Sequence, residues 1–226
     1  MTPGVARSTA PRAGGTLKLA LPRGALFTGT LDLLDRIGVE TTEARSDSRA
    51  LVFDTAELTL VTMRPSDVPT YVEAGAADLG ITGKDVLLEQ ADRDVFELLD
   101  LAYGACRMVV AGRRGDESLG ESARRLGAMR IATKYPRITE RFFEQTGRQV
   151  EIVEVKGSVE LAPLVGLADG IVDLVDTGRT LAENELEVRE EIASCTARLV
   201  ANRVSHKLRA GEIDAVVSRM RAAVGG

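Results

Sequence analysis

Ile171-Val-Asp-Leu-Val-Asp-Thr-Gly-Arg-Thr180 joins an apolar run to a turn of small and hydroxylated residues. Residues 171–175 have the length and β-branched content of a buried strand, and residues 180–186 have helical spacing, so the unit reads as strand, tight turn, helix. At a helix start the first N–H groups have no intrahelical acceptor and point outward, which makes a ready site for a phosphate dianion. Gly178 lets the backbone approach an anion without a Cβ in the way, and Thr177 and Thr180 add hydroxyl donors. Asp173, just before the turn, would repel a phosphate it touched but can accept hydrogen bonds from sugar hydroxyls. A phosphorylated ribose therefore fits both halves. The same residues also read as a plain capped helix, with Thr177 or Thr180 serving the cap.

Outward from this unit, short apolar runs alternate with helical patterns, which implies an α/β fold with mainly parallel strands. Strands are expected at 17–21, 51–53, 58–62, 79–82, 95–101, 107–111, 129–133 and 150–155, with one long strand at 192–201. Helices are expected at 26–37, closed by Gly38, from a Ser66 cap to Gly75, and at 84–90, 119–126, 139–145 and 159–167. A last amphipathic helix, capped by Ser205, turns Leu208, Ile213, Val216, Val217 and Met220 inward. Gly75-Ala-Ala-Asp-Leu-Gly-Ile is echoed by Gly166-Leu-Ala-Asp-Gly-Ile, each leading into a strand. The expected organisation is a disordered tail at 1–15, a first lobe at 16–103 and 194–226, and a second lobe at 104–193 carrying the phosphate turn. A ligand cleft would lie between the lobes.

The chain has 226 residues, a net charge of -5 and a pI near 5.2, which argues against a nucleic-acid-binding surface. No apolar run is long enough to span a bilayer, and the first fifteen residues lack the apolar core of a secretory signal. The cytoplasm is the expected compartment. Cys106 and Cys195 belong to no C-x-x-C or Cys/His cluster and read as reduced core thiols. Gly83-Lys84 does not make a Walker A loop, because Asp78 and Asp85 stand where Gly and Ser/Thr are needed, and no G-x-G-x-x-G occurs. His206, the only histidine, reads as a surface or capping residue.

The stretch from Glu160 to Leu181, ELAPLVGLADGIVDLVDTGRTL, resembles the signature of ATP phosphoribosyltransferases. LALPRGAL (Leu19 to Leu26), RPSDVPTYVEAGAADLGITGKDVLLE (Arg64 to Glu89) and RIATKYPRITERFF (Arg130 to Phe143) agree in the same order. One departure is Arg23-Gly24-Ala25, where many relatives have Lys-Gly-Arg. The resemblance implies two α/β lobes of periplasmic-binding-protein type II character with the active site in the cleft between them. It is to the short form, which works with a separate regulatory subunit related to histidyl-tRNA synthetase, commonly as a hetero-octamer.

The reaction so implied is the first step of histidine biosynthesis. N1 of the adenine of ATP attacks the anomeric carbon of phosphoribosyl pyrophosphate and pyrophosphate leaves, with magnesium as the expected ion and its ligands undetermined. The family motif assigns Thr177, Gly178, Arg179 and Thr180 to the 5-phosphate and Asp173 to the ribose hydroxyls, with Asp176 nearby. Arg23 and Arg49 are the candidate catalytic cations at pyrophosphate or ATP phosphates, and Lys84, Lys134 and Glu160 are candidates for ATP. Two rival readings share the turn or the lobes. A nucleobase phosphoribosyltransferase generally shows two adjacent acids before the turn, whereas Leu174 follows Asp173 here. A two-lobed solute-binding protein would bind without catalysis.

Overall fold

The first apolar run, LKLALP, buries Leu19, Ala20 and Leu21 completely, on both faces of the strand, so its sheet needs a covering layer on each side. In the computed structural model, which describes residues 15–46, 49–115 and 128–225, this run is β1 (Leu17–Pro22). It lies parallel between β3 (Leu58–Met63) and β4 (Leu79–Gly83). With β2 (Val52–Asp54), β5 (Val95–Asp100) and β11 (Ala197–Asn202) it forms a six-stranded sheet in the order β2-β3-β1-β4-β11-β5. The second sheet has five strands in the order β10-β6-β9-β7-β8. They are β6 (Cys106–Arg113), β7 (Met129–Thr133), β8 (Val150–Glu154), β9 (Gly170–Val175) and β10 (Leu186–Cys195). Each sheet combines a parallel trio with antiparallel neighbours, and the molecule is an α/β protein of two lobes.

Helices α1 (Phe27–Arg36) and α9 (Ala210–Val224) cover one face of the first sheet, packing Leu31, Leu34, Ile213 and Met220 against Leu19, Leu21 and Leu60. On the other face, α3 (Val68–Glu73) brings Val68 and Val72 onto Ala20 and Val200. Gly80 of β4 sets how closely α3 can lie: a Cβ there would stand 2.5 Å from Val68 Cγ1 and 2.7 Å from Val72 Cγ2. The short helices α2 (Thr42–Arg45), α4 (Lys84–Glu89) and α8 (Arg203–Leu208) complete this half. The second sheet lies between α5 (Pro136–Gln145), which contributes Ile138 and Phe143, and the pair α6 (Leu161–Leu164) and α7 (Arg179–Glu183), which contribute Ala162 and Leu181.

The two Gly-to-Asp echoes make the same structure. Gly75 and Gly166 both end a helix with positive φ, +72° and +74°, as a left-handed helix stop requires. Three residues later, Asp78 and Asp169 each exchange a pair of bonds with a neighbouring strand. The Asp78 carboxylate accepts from Lys18 N–H at 2.8 Å and the Asp78 N–H donates to Lys18 O at 2.9 Å. Asp169 does the same with Arg130, at 2.7 and 2.8 Å.

Several expected elements differ. The single strand at 192–201 is two strands, β10 in the second sheet and β11 in the first, separated at Thr196. β10 is an edge strand with register shifts at Val188/Glu190 and Glu191/Ala193, so its apolar alternation fails where pairing is irregular. The helix expected at 159–167 shrinks to α6, because Pro163 has no N–H for the ladder and Gly166 stops the turn; Leu161, Val165 and Leu167 are exposed. The one expected at 180–186 ends at Glu183, and Leu186 already belongs to β10. Ser66 caps nothing: it lies inside a 3-10 turn, Pro65–Asp67, ahead of α3. The cap near the C-terminus is Asn202, which accepts from Ser205 N–H at 2.8 Å, while the Ser205 hydroxyl donates to Asp78. Leu208 is exposed rather than inward, because α8 ends there and α9 begins anew at Ala210. α5 starts earlier than expected, at Pro136, a residue suited to the first helical position. The helix expected at 119–126 lies outside the described residues, as does residues 1–14 of the expected tail.

The chain passes from the first sheet to the second between β5 and β6 and returns at Thr196. The two crossings run side by side: Leu101 N–H donates to Ala197 O and Ala197 N–H to Tyr103 O, both at 2.9 Å. Gly104 is required there by a φ of +65°, in the left-handed region.

Candidate active site

Parallel strands of an open α/β sheet present their carboxyl ends, and the turns that follow, as the usual place for a ligand. In the second sheet β7 and β9 pair in parallel with Thr133 opposite Val172, so the next residues of each strand, Lys134 and Asp173, come together. Lys134 Nζ lies 3.1 Å from Asp173 Oδ1, which also accepts from Leu174 N–H at 2.8 Å. Asp173 keeps 17% of its side chain exposed, enough to reach a ligand hydroxyl while its charge stays balanced.

The turn itself follows β9. Asp176 and Thr177 are exposed, Gly178 is the N-cap of α7 with φ 79° and ψ 2°, and no side chain caps the helix. A Cβ on Gly178 would meet Val175 Cγ1 at an ordinary 3.8 Å, so the left-handed backbone, not crowding, demands glycine. Thr177 Oγ1 accepts weakly from Arg179 N–H at 3.4 Å, and Thr180 and Arg179 are exposed. The threonines thus do not cap the helix in the ordinary way and are available to a ligand. Arg179 pairs with Glu183 at 3.2 Å along the helix.

Arg23 follows β1 at the carboxyl end of the first sheet and is held firmly. Its N–H donates to Met63 O at 2.7 Å, its Nε to Thr62 Oγ1 at 3.0 Å and its Nη2 to Ala50 O at 3.1 Å. The last bond sets the exposed 49–50 segment, with Arg49, beside it. Lys84, at the end of β4, points along its own sheet to Glu97 at 2.7 Å. Glu97 also pairs with Arg198, which reaches Asp100 as well, so Lys84 belongs to an ion-pair chain at the crossing strands. Glu160 stands at the N-cap of α6 with no side-chain cap bond, half-exposed after the carboxyl end of β8. The structure therefore brings Lys134 to Asp173, sets Arg49 near Arg23, and engages Lys84 in an ion pair with Glu97. His206 packs edge-on against Phe96 at 5.5 Å, a surface contact.

Five further residues belong here that sequence reasoning missed. Asp85 follows Lys84 and is half-buried; its carboxylate accepts from the Tyr135 hydroxyl at 3.2 Å, across the two lobes. Burial pushes the Asp85 carboxyl above the usual carboxylate range, opposed by the Tyr135 hydrogen bond and by Lys134. Burial together with Asp85 and Asp173 pushes the Tyr135 hydroxyl well up, so it remains a donor. Cys106 opens β6 opposite Cys195 on β10, so the two thiols, both free, are neighbours across one strand pair. Burial raises both, Cys195 to about 12, and Asp85 and Asp176 raise Cys106 further. Arg64 follows β3, next to Arg23, and is exposed. The legible signal for Asp85 and Tyr135 was their place directly after an apolar strand, Asp85 in Thr-Gly-Lys-Asp and Tyr135 in Thr-Lys-Tyr-Pro.

The ensemble offers cations at the ends of both sheets, a carboxylate poised beside a lysine, a phenol held as a donor, and a backbone turn shaped for an anion. It contains no nucleophile activated by a base. Such a site can bind and orient two anionic molecules and stabilise charge on a leaving group.

A family model described as HisG: ATP phosphoribosyltransferase matches residues 64–222. The chain is 50% identical over 214 residues to an ATP phosphoribosyltransferase of Rubrobacter xylanophilus, covering 93% of this chain and 99% of that one. A Bacillus licheniformis enzyme of the same name is 46% identical over 94% of this chain and 98% of its own. The ATP phosphoribosyl transferase (HisG:HisZ) complex from Thermotoga maritima superposes with a TM-score of 0.78 at 35% identity, covering 93% of this chain and 99% of that one. The periplasmic aliphatic sulphonate binding protein SsuA of Escherichia coli, 13% identical, shares the two-lobed fold with a TM-score of 0.60 over 92% of this chain and 72% of its own.

Proposed function

The chain belongs to the ATP phosphoribosyltransferase family, and on that premise we propose how its residues divide the work. The activity is transfer of the phosphoribosyl group of phosphoribosyl pyrophosphate to N1 of the adenine of ATP with release of pyrophosphate, the first step of histidine biosynthesis. It needs no protein nucleophile, and its oxocarbenium-like transition state gains most from fixed geometry and from charge compensation at the departing pyrophosphate.

The observation that carries the assignment is the Lys134–Asp173 pair at the mouth of the left-handed Gly178 turn. The amides and hydroxyls of Thr177, Gly178 and Thr180, with Arg179, receive the 5-phosphate. Asp173 accepts from the ribose hydroxyls and Lys134 holds that carboxylate in place while facing the nucleotide. Arg23, braced by Thr62 and Ala50, and the adjacent Arg49 and Arg64 meet pyrophosphate or ATP phosphates from the first lobe. Asp85 and Tyr135 line the gap where the adenine enters. Lys84 and Glu160 border the nucleotide, Lys84 from within its ion-pair chain. The lobes divide near the two crossings, with 16–103 and 194–226 in one and 104–193 in the other, apart from Ser194 and Cys195, which close β10 of the second sheet.

The family generally works with a metal ion, and magnesium is the ion proposed. Among the described residues no group of three or more His, Cys, Asp or Glu forms a cage. That donor set fits a magnesium ion, which favours one or two carboxylates plus substrate phosphates over an all-protein site; exposed Asp176 and nearby Asp173 are the residues that would hold it. When bound it neutralises polyphosphate charge.

The HisG:HisZ neighbour supports a regulatory partner of HisZ kind, related to histidyl-tRNA synthetase, in a hetero-octamer. Among the described residues no helix is long and apolar enough to cross a membrane, and the cytoplasm is the compartment proposed. Incubation with ATP, phosphoribosyl pyrophosphate and magnesium tests the whole reading: near-ultraviolet absorbance of the adduct should rise in step with released pyrophosphate. Release of pyrophosphate only on adding a free base, or none at all, contradicts it.

A further inference from the structure

We propose that Glu89 is a positioning residue for this reaction, holding the Lys134–Tyr135 turn in register with Asp85 by capping a helix of the opposite lobe. The N-terminus of α5 carries no cap of its own: its N-cap is Tyr135, which makes no side-chain cap bond, and Pro136 has no N–H to satisfy. The next two amides are claimed from the other lobe. Glu89 Oε1 accepts from Arg137 N–H and Oε2 from Ile138 N–H, both at 3.0 Å. A bidentate carboxylate here satisfies two orphan donors and opposes the positive end of the helix dipole.

Glu89 is well placed to act as a strut because its own helix is anchored on the first lobe. Gln90 Nε2 donates to Ser66 O at 2.9 Å, and Arg93 pairs with Glu73 at 2.7 Å. On the far side, Leu88 packs against the second lobe's core beside Ile138 and Phe143, and Arg137 reaches Asp92 at 2.7 Å. The turn between β7 and α5 is thereby fixed at both ends. Thr133 Oγ1 accepts from Tyr135 N–H at 2.9 Å and donates to Val172 O at 2.8 Å, and Glu89 fixes the helix that follows. Lys134 and Tyr135, lying between these anchors, are aimed at Asp173 and Asp85. Loss of the carboxylate frees the helix start and the two side chains with it.

The inference rests on the reading of Lys134 and Tyr135 as site residues, so the experiment tests both on the full chain. Steady-state kinetics are measured for Glu89→Ala, Glu89→Gln, Lys134→Ala and Tyr135→Phe, each with its melting temperature, at assay temperatures well below melting. Glu89→Ala should lose about ten- to a hundred-fold in kcat/KM for ATP, the scale expected of a small misplacement of reacting groups. Glu89→Gln, whose amide oxygen still accepts one N–H, should recover most of it. In a background carrying both Lys134→Ala and Tyr135→Phe the same alanine substitution should cost less than about threefold more, because the groups it positions are already disabled. A helix cap of structural value alone lowers melting and leaves these ratios unmoved. Glu89→Ala within about twofold of wild type, beside impaired Lys134→Ala or Tyr135→Phe, overturns the positioning role and spares the site. Wild-type rates in Lys134→Ala and Tyr135→Phe overturn both. If Glu89→Ala does not fold, Glu89→Asp decides, because its shorter side chain cannot hold both amides: a loss of about threefold or more with unchanged melting supports the role, and wild-type kinetics refute it.

Discussion

Lys134 Nζ and Asp173 Oδ1 stand 3.1 Å apart because parallel pairing of β7 with β9 puts Thr133 opposite Val172 and so places the following residues at one sheet end. The lysine is 39% exposed and the aspartate 17%, so the pair contributes little to stability, under about 1 kcal/mol. Its value lies in a carboxylate held and aimed where a ribose would sit. Asp173→Asn is expected to lower turnover at least about ten-fold while its urea midpoint barely moves; unchanged kinetics with phosphoribosyl pyrophosphate would remove Asp173 from the site.

Gly178 occupies φ 79°, ψ 2° at the head of α7. A Cβ there costs about 1–2 kcal/mol, or else the turn flattens and withdraws its amides. Gly178→Ala should therefore raise KM for phosphoribosyl pyrophosphate far more than KM for ATP, read by varying each substrate in turn. Equal effects on the two would place the turn away from the sugar phosphate.

Asp85 should show a conflict between stability and function. Its carboxyl is pushed up by burial, so the native protein holds that proton more tightly than the unfolded chain does. The stabilisation is complete below the unfolded-state pKa and is lost as pH rises through the folded-state value. Asp85→Asn escapes that loss: at pH 7 it should melt higher than wild type, with the gap closing as pH falls toward about 4, and it should be slower in catalysis. A lower melting temperature at pH 7 would contradict the buried-charge account.

The paired aspartates give a graded test of the fold. Removing the Asp169 carboxylate leaves Arg130 N–H without its partner, at a cost of about 1 kcal/mol. Asp78 additionally accepts from the Ser205 hydroxyl at 2.7 Å and pairs with Arg209 at 3.4 Å. Urea unfolding should thus show Asp78→Ala more destabilised than Asp169→Ala; the reverse order would mean that the second echo carries the greater load.

Much of this was legible where local chemistry was strong. β7 at 129–133 emerged as expected, and so did the strand running into the Gly178 turn, because buried apolar runs bounded by turn residues leave few alternatives. The echo between Gly75 and Gly166 was visible in the letters, but the matching carboxylate-to-amide pairs of Asp78 and Asp169 appear only when each strand finds its neighbour. The break at Thr196 was hidden because apolar residues run on through it, from β10 in one sheet into β11 in the other. Asp85, Tyr135 and Glu89 escaped notice for a common reason: each acts across the gap between lobes, on a partner about fifty residues away. Lys84 shows the converse, a cation at a promising turn whose partner, Glu97, lies on its own sheet.

The most direct test is a crystal structure of the full chain soaked with phosphoribosyl pyrophosphate and magnesium. The 5-phosphate should lie on the amides and hydroxyls of residues 177–180, with the ribose hydroxyls on Asp173 and the pyrophosphate turned toward Arg23 and Arg49. A 5-phosphate bound elsewhere, with the Gly178 turn left to solvent, would contradict the account.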